Sequence, residues 1–389
     1  MTRYHADFAW LGGDSVAADV LIDVEGERIV GITPGVKRNR EVRLRGVTLP
    51  GLANAHSHAF QRALRGRTQR GGGSFWTWRE DMYALAGSIT PDDTFELAKG
   101  TYAEMVKAGI TCVGEFDYVH HSEALIAAAK EVGIRLTLLD ACYVAGGFNE
   151  PPSGAQARFS DGDALGWVER VSEIRGAKVG AAIHSVRAVP ARQMEIVVEW
   201  AEGKPLHFHV SEQRSENEAC LATWGVTPVR LLADRGALGP NSTAVHATHL
   251  TDADKQLLHE TTICMCPTTE RDLADGIGDA GPNLSLGSDS HAIIDLFEEA
   301  RAVELNLRLK TERRGHFTAQ ALLEGATNHK SLGWEDAGRI EPGALADLVT
   351  VGLDSPRLET AEPGTLLESI VFAATAADVT STIIGGRPC

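Results

Sequence analysis

Two histidines in the stretch "LPGLANAHSHAF", His56 and His58, stand one residue apart at the end of a short apolar run. In a helix, residues i and i+2 point to different sides, whereas in a strand they point to the same face. The pair therefore converges on one point only if the run before it is a strand. Two imidazoles aimed at one point predict a metal site; an accidental pair of core histidines is the alternative.

Further polar residues follow other short β-rich runs of the chain. They are His184 with Arg187 after it, His209 with Glu212 after it, His246, and Asp289 within "GSDSH". A single buried histidine is usually a hydrogen-bonded core residue. Histidines at the ends of several strands are harder to explain by chance and favour a shared function. Three neutral imidazoles and one carboxylate suit a divalent metal with a bound water. The predicted metal ligands are His56, His58, His209 and Asp289.

The ligand types leave the identity of the metal open. None of the four ligands is a thiolate, so zinc, ferrous iron and manganese all remain candidates. We expect one divalent metal per chain, with zinc as the first choice. Cys264 and Cys266 form a softer ligand pair, but small residues at alternate positions of a buried strand commonly pack as apolar side chains.

The metal hypothesis requires strands whose ends meet, and the middle of the chain supplies eight short β-rich runs that alternate with helical patterns. The runs are "VTLPGLANAH", "ITCVGEF", "IRLTLLDA", "VGAAIHSV", "PLHFHVS", "TAVHAT", "TICMCP" and "LSLGSDS". Eight βα units over roughly 250 residues predict a (β/α)8 TIM barrel, whose active sites lie at the C-terminal strand ends. A doubly wound sheet is the alternative, but no glycine-rich phosphate turn follows the first run.

The two ends of the chain lack the alternation of β-rich runs and helical patterns that is found in the middle. The stretch "DVLIDVEGERIVGI" predicts a β-hairpin, and "GALADLVTVGLD" and "STIIGGRPC" predict strands with glycine-rich turns. We therefore expect a small β-sandwich domain built from both termini, residues 1–48 and 341–389. The barrel is expected to occupy residues 49–340 and to contain the catalytic site.

The charge of the chain restricts its partners. The 389 residues include 37 lysines and arginines against 53 aspartates and glutamates, a formal charge of −16. This opposes binding to nucleic acids and anionic membranes, and any anionic substrate must be met by local cations. Scattered cysteines and the absence of a signal-peptide pattern lead us to expect a cytoplasmic protein. The oligomeric state stays open, with a homodimer among the alternatives.

Four motifs together resemble the mononuclear branch of the amidohydrolase superfamily. They are "HSH" after the first run, "HVSE" on the fifth, "HATH" on the sixth and "GSDSH" on the eighth. Members of that superfamily with two metals usually have a bridging carboxylated lysine at the end of the fourth strand. Here that run ends "AAIHSVR", with Lys178 only at its start. The resemblance implies a barrel beside a terminal β-sandwich, and it favours one metal.

Within the superfamily, "NAHSHAFQRALRG", "FDYVHH", "IHSVRAVP", "FHVSEQ" and "CPTTE" resemble the formimidoylglutamate deiminase family of histidine degradation. The resemblance implies a small substrate with two carboxylates, bound by Gln61, Arg79 in a tryptophan-rich loop, Tyr118, His184 and Arg187. Arginine is the planar, bidentate partner of a carboxylate, so Arg187 and His184 are expected to form a cationic pair that grips one. The chain departs from the family pattern at Asp117, where histidine is expected, and at Arg271, where a small residue is expected.

The resemblance assigns the chemistry to Glu212, His246 and Asp289. Glu212 is expected to move a proton from water to the departing nitrogen, and His246 to orient the water. Asp289 binds the metal and helps to accept the water proton, and the products are N-formyl-L-glutamate and ammonia. Another deaminase of the branch, acting on a purine, an adenosine derivative or a triazine, is the nearest alternative. A non-catalytic scaffold barrel is the alternative of another class.

Overall fold

The computed structural model describes residues 1–389. The strands are β1 (Thr2–Ala9), β2 (Ala17–Glu25), β3 (Arg28–Thr33), β4 (Val42–Pro50), β5 (Leu52–Ser57), β6 (Ile110–Asp117), β7 (Arg135–Cys142), β8 (Lys178–Ile183), β9 (Leu206–Val210), β10 (Ser242–His246), β11 (Thr262–Met265), β12 (Leu284–Leu286), β13 (Leu348–Val351), β14 (Val379–Ile384) and β15 (Arg387–Pro388). The α-helices are α1 (Phe75–Ser88), α2 (Pro91–Lys107), α3 (Ser122–Val132), α4 (Ala164–Ser172), α5 (Ala191–Trp200), α6 (Arg214–Trp224), α7 (Pro228–Asp234), α8 (Asp252–Leu257), α9 (Pro267–Asp272), α10 (Leu296–Thr311), α11 (Ala319–Ala326) and α12 (Leu366–Ala373). None of these helices has the length and apolar character needed to cross a membrane.

Strands β5 to β12 close into a barrel in which neighbouring strands are parallel. Each of the eight predicted runs overlaps one of these strands, so the predicted TIM barrel is confirmed. The barrel strands are almost entirely buried, because packed side chains fill the interior and helices cover the outside. All C-terminal strand ends therefore open at the same end of the barrel.

Closure between the last and first barrel strands depends on a glycine. Strand β12 pairs with β5 through Leu286 and Asn54. A Cβ atom at Gly287 would lie 2.8 Å from the Cys266 sulfur and 2.8 Å from Cβ of His56. Such contacts are shorter than van der Waals distance, so a larger residue would push β12 away from β5. The glycine of "GSDSH" thus permits the approach that brings the two strand ends together.

The two chain termini form one mixed, seven-stranded sheet in the order β15–β14–β13–β4–β1–β2–β3. Its neighbouring strands are antiparallel except for the parallel pair β1 and β4. The predicted hairpin corresponds to β2 and β3, and the β unit built from both termini is confirmed. Strand β4 continues to Pro50 and leads directly into β5. The domain boundaries at 48 and 341 stay predictions.

Aromatic packing lies beneath the polar mouth of the barrel. A cluster of 16 buried residues includes Phe60, Phe116, Tyr118, Tyr143 and Phe159. Each large apolar side chain contributes about 1.5–3 kcal/mol when fully buried, and its ring fixes the strand end above it. The His58 ring packs against Phe116 and Tyr118 at centroid distances of 5.3 and 5.4 Å, and the His184 ring packs against Tyr143 at 4.6 Å.

A buried carboxylate holds the turn before β14. Asp378 accepts two hydrogen bonds from Arg357, at 3.1 and 2.7 Å, and one from the Thr375 backbone N–H at 2.8 Å. Burial alone would raise the pKa of Asp378, but the hydrogen bonds outweigh it and lower the pKa to about 2. The folded protein thus favours the ionised form. This stabilisation is present above the unfolded pKa of about 4 and is lost as the pH falls through the folded pKa.

We predict that Asp378→Asn lowers the free energy of unfolding near neutral pH by roughly 2 kcal/mol, because one pKa unit corresponds to about 1.4 kcal/mol. The difference from the unmodified protein should shrink below about pH 4, where the carboxyl group becomes protonated in the unfolded chain, and it should vanish near the folded pKa of about 2. Urea unfolding followed by circular dichroism over this pH range measures both effects. The exposed Asp354 supplies the control Asp354→Asn. If the unfolding free energy lost in Asp378→Asn does not change with pH, the electrostatic explanation is wrong.

Candidate active site

The four residues predicted to bind metal meet at the C-terminal mouth of the barrel. His56 Nε2 lies 3.0 Å from His209 Nε2 and 3.5 Å from Asp289 Oδ1. His58 Nε2 lies 3.6 Å from the same Asp289 oxygen. All four side chains are buried. His56 lies in β5, and His58 directly follows the strand in a nearly extended conformation, so the alternation of side chains turns both to one side. Barrel closure adds the other two residues.

Hydrogen bonds determine which ring nitrogen faces the centre. His58 Nδ1 lies 3.0 Å from the Phe116 carbonyl oxygen, and His209 Nδ1 lies 2.8 Å from the His184 carbonyl oxygen. A carbonyl oxygen only accepts, so each Nδ1 carries the proton and each Nε2 presents a lone pair. Burial lowers the pKa of both rings, that of His58 to about 3. Neutral imidazoles and a carboxylate converging on one buried point are a donor set that fits a divalent metal.

Two backbone hydrogen bonds tie Asp289 to the histidine pair. The His58 N–H donates to the Asp289 carbonyl oxygen at 3.1 Å, and the Asp289 N–H donates to the His56 carbonyl oxygen at 3.0 Å. Burial would raise the pKa of Asp289, but the hydrogen bond with His56 and the other imidazoles around the carboxylate outweigh it and lower the pKa. Asp289 is therefore an ionised carboxylate held in fixed register with both histidines.

Left-handed backbone conformations turn three site residues where their strands end. The φ angle is 53° at Ser211, 67° at His246 and 43° at Asp289. Residues other than glycine rarely adopt this conformation, which costs about 1–3 kcal/mol each, and it is concentrated at functional sites. The hydrophobic pattern of the sequence does not distinguish residues with a positive φ angle, so these turns could not be predicted.

Glu212 and His246 lie beside the four candidate ligands. His246 Nε2 is 3.7 Å from Glu212 Oε1 and 3.6 Å from Asp289 Oδ2, and its Nδ1 is 3.4 Å from Glu270 Oε1. Burial would lower the pKa of His246, but the charge of Glu212 and the hydrogen bond to Glu270 raise it well above its usual value. Burial raises the pKa of Glu212 to about 7. A carboxyl group with such a pKa both takes and gives protons efficiently near neutral pH.

The five side chains predicted to bind substrate line one cavity next to this centre. They are Gln61, Arg79, Tyr118, His184 and Arg187. The Gln61 amide donates to the Tyr118 hydroxyl oxygen at 3.2 Å. Gln61 Oε1 and His184 Nδ1 are buried without a hydrogen-bond partner. Such atoms are rare in folded proteins, and here they leave polar groups available to a bound molecule.

Arg79 lies on helix α1, so the expectation of a tryptophan-rich loop was wrong. Its guanidinium carbon lies 4.5 Å from the centre of the Trp76 ring and 5.3 Å from that of Tyr83. Arg79 Nε is buried without a hydrogen-bond acceptor. Aromatic faces attract the guanidinium without neutralising its charge, so a free cation stands at the cavity wall.

Arg187 and His184 differ from the cationic pair expected from the sequence. Burial and the positive charge of Arg187 lower the pKa of His184 well below its usual value, so this imidazole is neutral. Arg187 Nε donates to Glu216 Oε2 at 2.8 Å. The other Glu216 oxygen accepts the Ser211 backbone N–H at 2.9 Å. Glu216 thereby links the guanidinium to the turn that precedes Glu212.

Glu216 and Glu270 are site residues that sequence reasoning did not single out. Glu216 lies in the first turn of α6, where a charged residue is usually exposed, but its side chain is buried. Glu270 closes the quoted motif "CPTTE" and accepts the Cys266 backbone N–H at 2.9 Å. The motif itself was the signal for Glu270. The only signal for Glu216 was its position four residues after Glu212.

Several other residues considered in the sequence lie away from the cavity. Lys178 donates to the Gly333 carbonyl oxygen at the opposite end of β8 and cannot bridge metals at the mouth. Cys264 and Cys266 pack in a buried apolar cluster. Arg271 is exposed and pairs with Glu298 at 3.1 Å. Asp117 is buried, and its Oδ1 accepts the Val119 backbone N–H at 3.0 Å.

The sequence model of the "Amidohydrolase family" matches residues 47–389 of this chain. The chain belongs to the amidohydrolase family. This amidohydrolase is 33% identical to a formimidoylglutamate deiminase of Pseudomonas aeruginosa, over 95% of this chain and 91% of that protein. It is 28% identical to a 5-methylthioadenosine/S-adenosylhomocysteine deaminase of Natronomonas pharaonis, over 95% of this chain and 88% of that protein.

Solved structures share the fold over the whole chain. An amidohydrolase from Brucella melitensis has a TM-score of 0.88 and 30% identity, covering 100% of this chain and 94% of that one. An adenosine deaminase from Xanthomonas campestris with bound zinc has a TM-score of 0.85 and 25% identity, covering 100% and 92%. Family membership and the curated relatives make this amidohydrolase a hydrolase that acts on carbon–nitrogen bonds.

We predict that this amidohydrolase, freed of excess metal, carries close to one divalent metal ion per chain. Asp289→Asn should lose most of that metal, because it removes the only ionised oxygen among the four ligands. Plasma emission spectroscopy measures the metal content, with circular dichroism to verify the fold. The exposed Asp272 gives the control Asp272→Asn, which should keep its metal. Two tightly bound metals per chain, or none after metal loading, would remove this hypothesis.

Proposed function

We propose that this amidohydrolase hydrolyses N-formimino-L-glutamate to N-formyl-L-glutamate and ammonia, a step of histidine degradation. The observation that carries the proposal is the pair of guanidinium groups, Arg79 and Arg187, in one cavity with Glu212. The chain has a formal charge of −16, so two arginines gathered at its active site favour an anionic substrate. The similarity to the Pseudomonas aeruginosa formimidoylglutamate deiminase supports the same substrate.

The two arginines suit the two carboxylates of the substrate in different ways. Glu216 holds Arg187 through Nε, which leaves the outer edge of the guanidinium free for a bidentate contact with a carboxylate. Arg79 has no carboxylate partner and lies against aromatic rings. The Gln61 amide, the Tyr118 hydroxyl and the neutral His184 ring supply further hydrogen bonds. This arrangement holds the substrate at both ends, with the formimino group toward Glu212.

His56, His58, His209 and Asp289 would hold the metal in this proposal. Zinc is our first choice, because the donors are nitrogen and oxygen and the Xanthomonas campestris adenosine deaminase has bound zinc. When bound, such an ion makes a water molecule more acidic and thus more nucleophilic at neutral pH.

Glu212 and His246 carry out the proton transfers in the proposed reaction. Water adds to the formimino carbon, and the bond from this carbon to the terminal nitrogen then breaks. Glu212 takes a proton from the attacking water and gives it to that nitrogen, which leaves as ammonia. His246 faces Glu212 and Asp289 through Nε2 and orients the water. Both water protons end on the departing nitrogen, with Asp289 assisting the second transfer.

A nucleoside deaminase is the second candidate function. Phe75, Trp78 and Tyr118 line the cavity, and aromatic walls also suit a flat heterocycle. The similarity to the Natronomonas pharaonis 5-methylthioadenosine/S-adenosylhomocysteine deaminase points in the same direction. We prefer N-formimino-L-glutamate to a nucleoside because a neutral nucleobase has no carboxylate to pair with the two guanidinium groups.

We predict that Glu212→Gln keeps the metal and binds substrate, but loses kcat by more than the ~10²–10⁴-fold typical of one acid–base group, because Glu212 serves both proton transfers. Steady-state ammonia release and a substrate-binding titration separate the two effects. The exposed Glu218, on the helix α6 that follows Glu212, provides the control Glu218→Gln. Near-normal turnover in Glu212→Gln would show that another residue is the proton shuttle.

We predict that Arg187→Met lowers kcat/KM for N-formimino-L-glutamate by roughly 30-fold to several-thousand-fold. Removing one partner of a buried charged pair costs about 2–5 kcal/mol, and about 1.4 kcal/mol is tenfold. The metal content should not change. Formamidines without a carboxylate should be poor substrates of the unmodified enzyme, and the variant should hydrolyse them almost as fast. Arg192→Met, at an exposed position, is the control. An unchanged kcat/KM in Arg187→Met would remove the carboxylate assignment.

A further inference from the structure

One buried carboxylate beside the active site has an oxygen without a partner. Asp275 lies in the turn after α9 and is 5% exposed. Its Oδ1 accepts a hydrogen bond from the Gln213 amide, whereas Oδ2 is buried without any hydrogen-bond partner. Leaving such an oxygen unpaired away from water is costly. The proposed reaction gives Asp275 no task, so its position calls for another explanation.

Asp275 belongs to a second group of potential ligand atoms. One atom each from Glu212, His246 and Asp275 lies within 4.8 Å of the other two. His246 Nε2 and Glu212 Oε1 are 3.7 Å apart. Tetrahedral zinc with bonds of about 2.0–2.2 Å separates neighbouring ligand atoms by roughly 3.3–3.6 Å. The three atoms, none of them more than 4.8 Å from another, would therefore have to approach one another by at most about 1.5 Å to close around one ion.

His246 has the hydrogen-bond arrangement of a metal-binding histidine. Its Nδ1 faces the Glu270 carboxylate, and the Cys266 backbone N–H holds that carboxylate. Histidine ligands generally donate their second ring N–H to a carboxylate or a carbonyl oxygen, which orients the other nitrogen toward the metal. His58 and His209 do the same with backbone carbonyl oxygens. His246 thus resembles the two candidate ligands, although it is not one of the four.

We propose that Glu212, His246 and Asp275 form a second, weaker site for a divalent cation, and that an ion bound there stops the reaction. One nitrogen and two oxygens suit zinc, with water in the remaining position. The ion would bind His246 Nε2 and occupy a Glu212 oxygen. Its inhibitory effect rests on the proposed function, in which that oxygen moves protons. The binding itself does not depend on the substrate.

Equilibrium dialysis of the enzyme loaded with one zinc per chain tests the second site. Free zinc is raised in steps, bound zinc is measured by atomic emission, and ammonia release from N-formimino-L-glutamate is followed in the same samples. Bound zinc should rise from one to two per chain, and activity should fall with the same midpoint. Asp275→Asn should weaken the second zinc by at least about tenfold, as expected for losing a charged group at a metal site, and should keep the first.

Matched variants distinguish this site from general zinc binding. Asp272→Asn, an exposed carboxylate three residues earlier, should bind and respond like the unmodified enzyme. Glu212→Gln, used for the binding measurement only, should also weaken the second zinc. The retained first zinc and circular dichroism verify that each variant is folded.

Three results would overturn the second site. They are no second zinc in the unmodified enzyme, a second zinc of equal affinity in Asp275→Asn, and inhibition by zinc without a second bound ion. If the enzyme instead binds a second zinc through Asp275 but does not release ammonia from N-formimino-L-glutamate, the proposed function fails and the cation site stands.

Discussion

The convergence of imidazole lone pairs and a carboxylate on one buried point is the constraint on which the rest of the structure depends. Polar groups removed from water destabilise the fold unless hydrogen bonds or a cation compensate them. Carbonyl oxygens fix the outer nitrogens of His58 and His209, and backbone hydrogen bonds fix Asp289. Gly287 permits the strand approach that makes these contacts. If these residues hold a metal as we propose, metal binding and the closure of the barrel mouth are coupled in free energy.

The cavity beside Glu212 carries positive side chains, although the chain as a whole is negatively charged. The chain is strongly acidic, yet Arg79 and Arg187 line the space beside Glu212. Glu216 connects Arg187 to the backbone of Ser211, next to the residue that moves protons in our proposal. In our proposal, the buried carboxylate of Glu216 thus sets both the position of the substrate's anionic end and the direction of Glu212.

The fold was predictable because it rests on local patterns. The eight strands could be identified from short β-rich runs, and the period of two residues in a strand explains why His56 and His58 face one point. Other features depend on tertiary contacts. Glu216 and Asp275 are buried through contacts with segments distant in sequence, with Arg187 and Gln213 respectively. The left-handed turns at Ser211, His246 and Asp289 likewise leave no periodic signal.

The most direct test of the account compares ammonia release by the metal-loaded enzyme from N-formimino-L-glutamate and from 5′-methylthioadenosine. A site built to pair a substrate carboxylate discriminates strongly against molecules that lack it, because its buried charges stay unpaired. The proposed function predicts a kcat/KM at least about a hundredfold higher for N-formimino-L-glutamate. A higher kcat/KM for the nucleoside would contradict it and assign the cavity to a heterocycle.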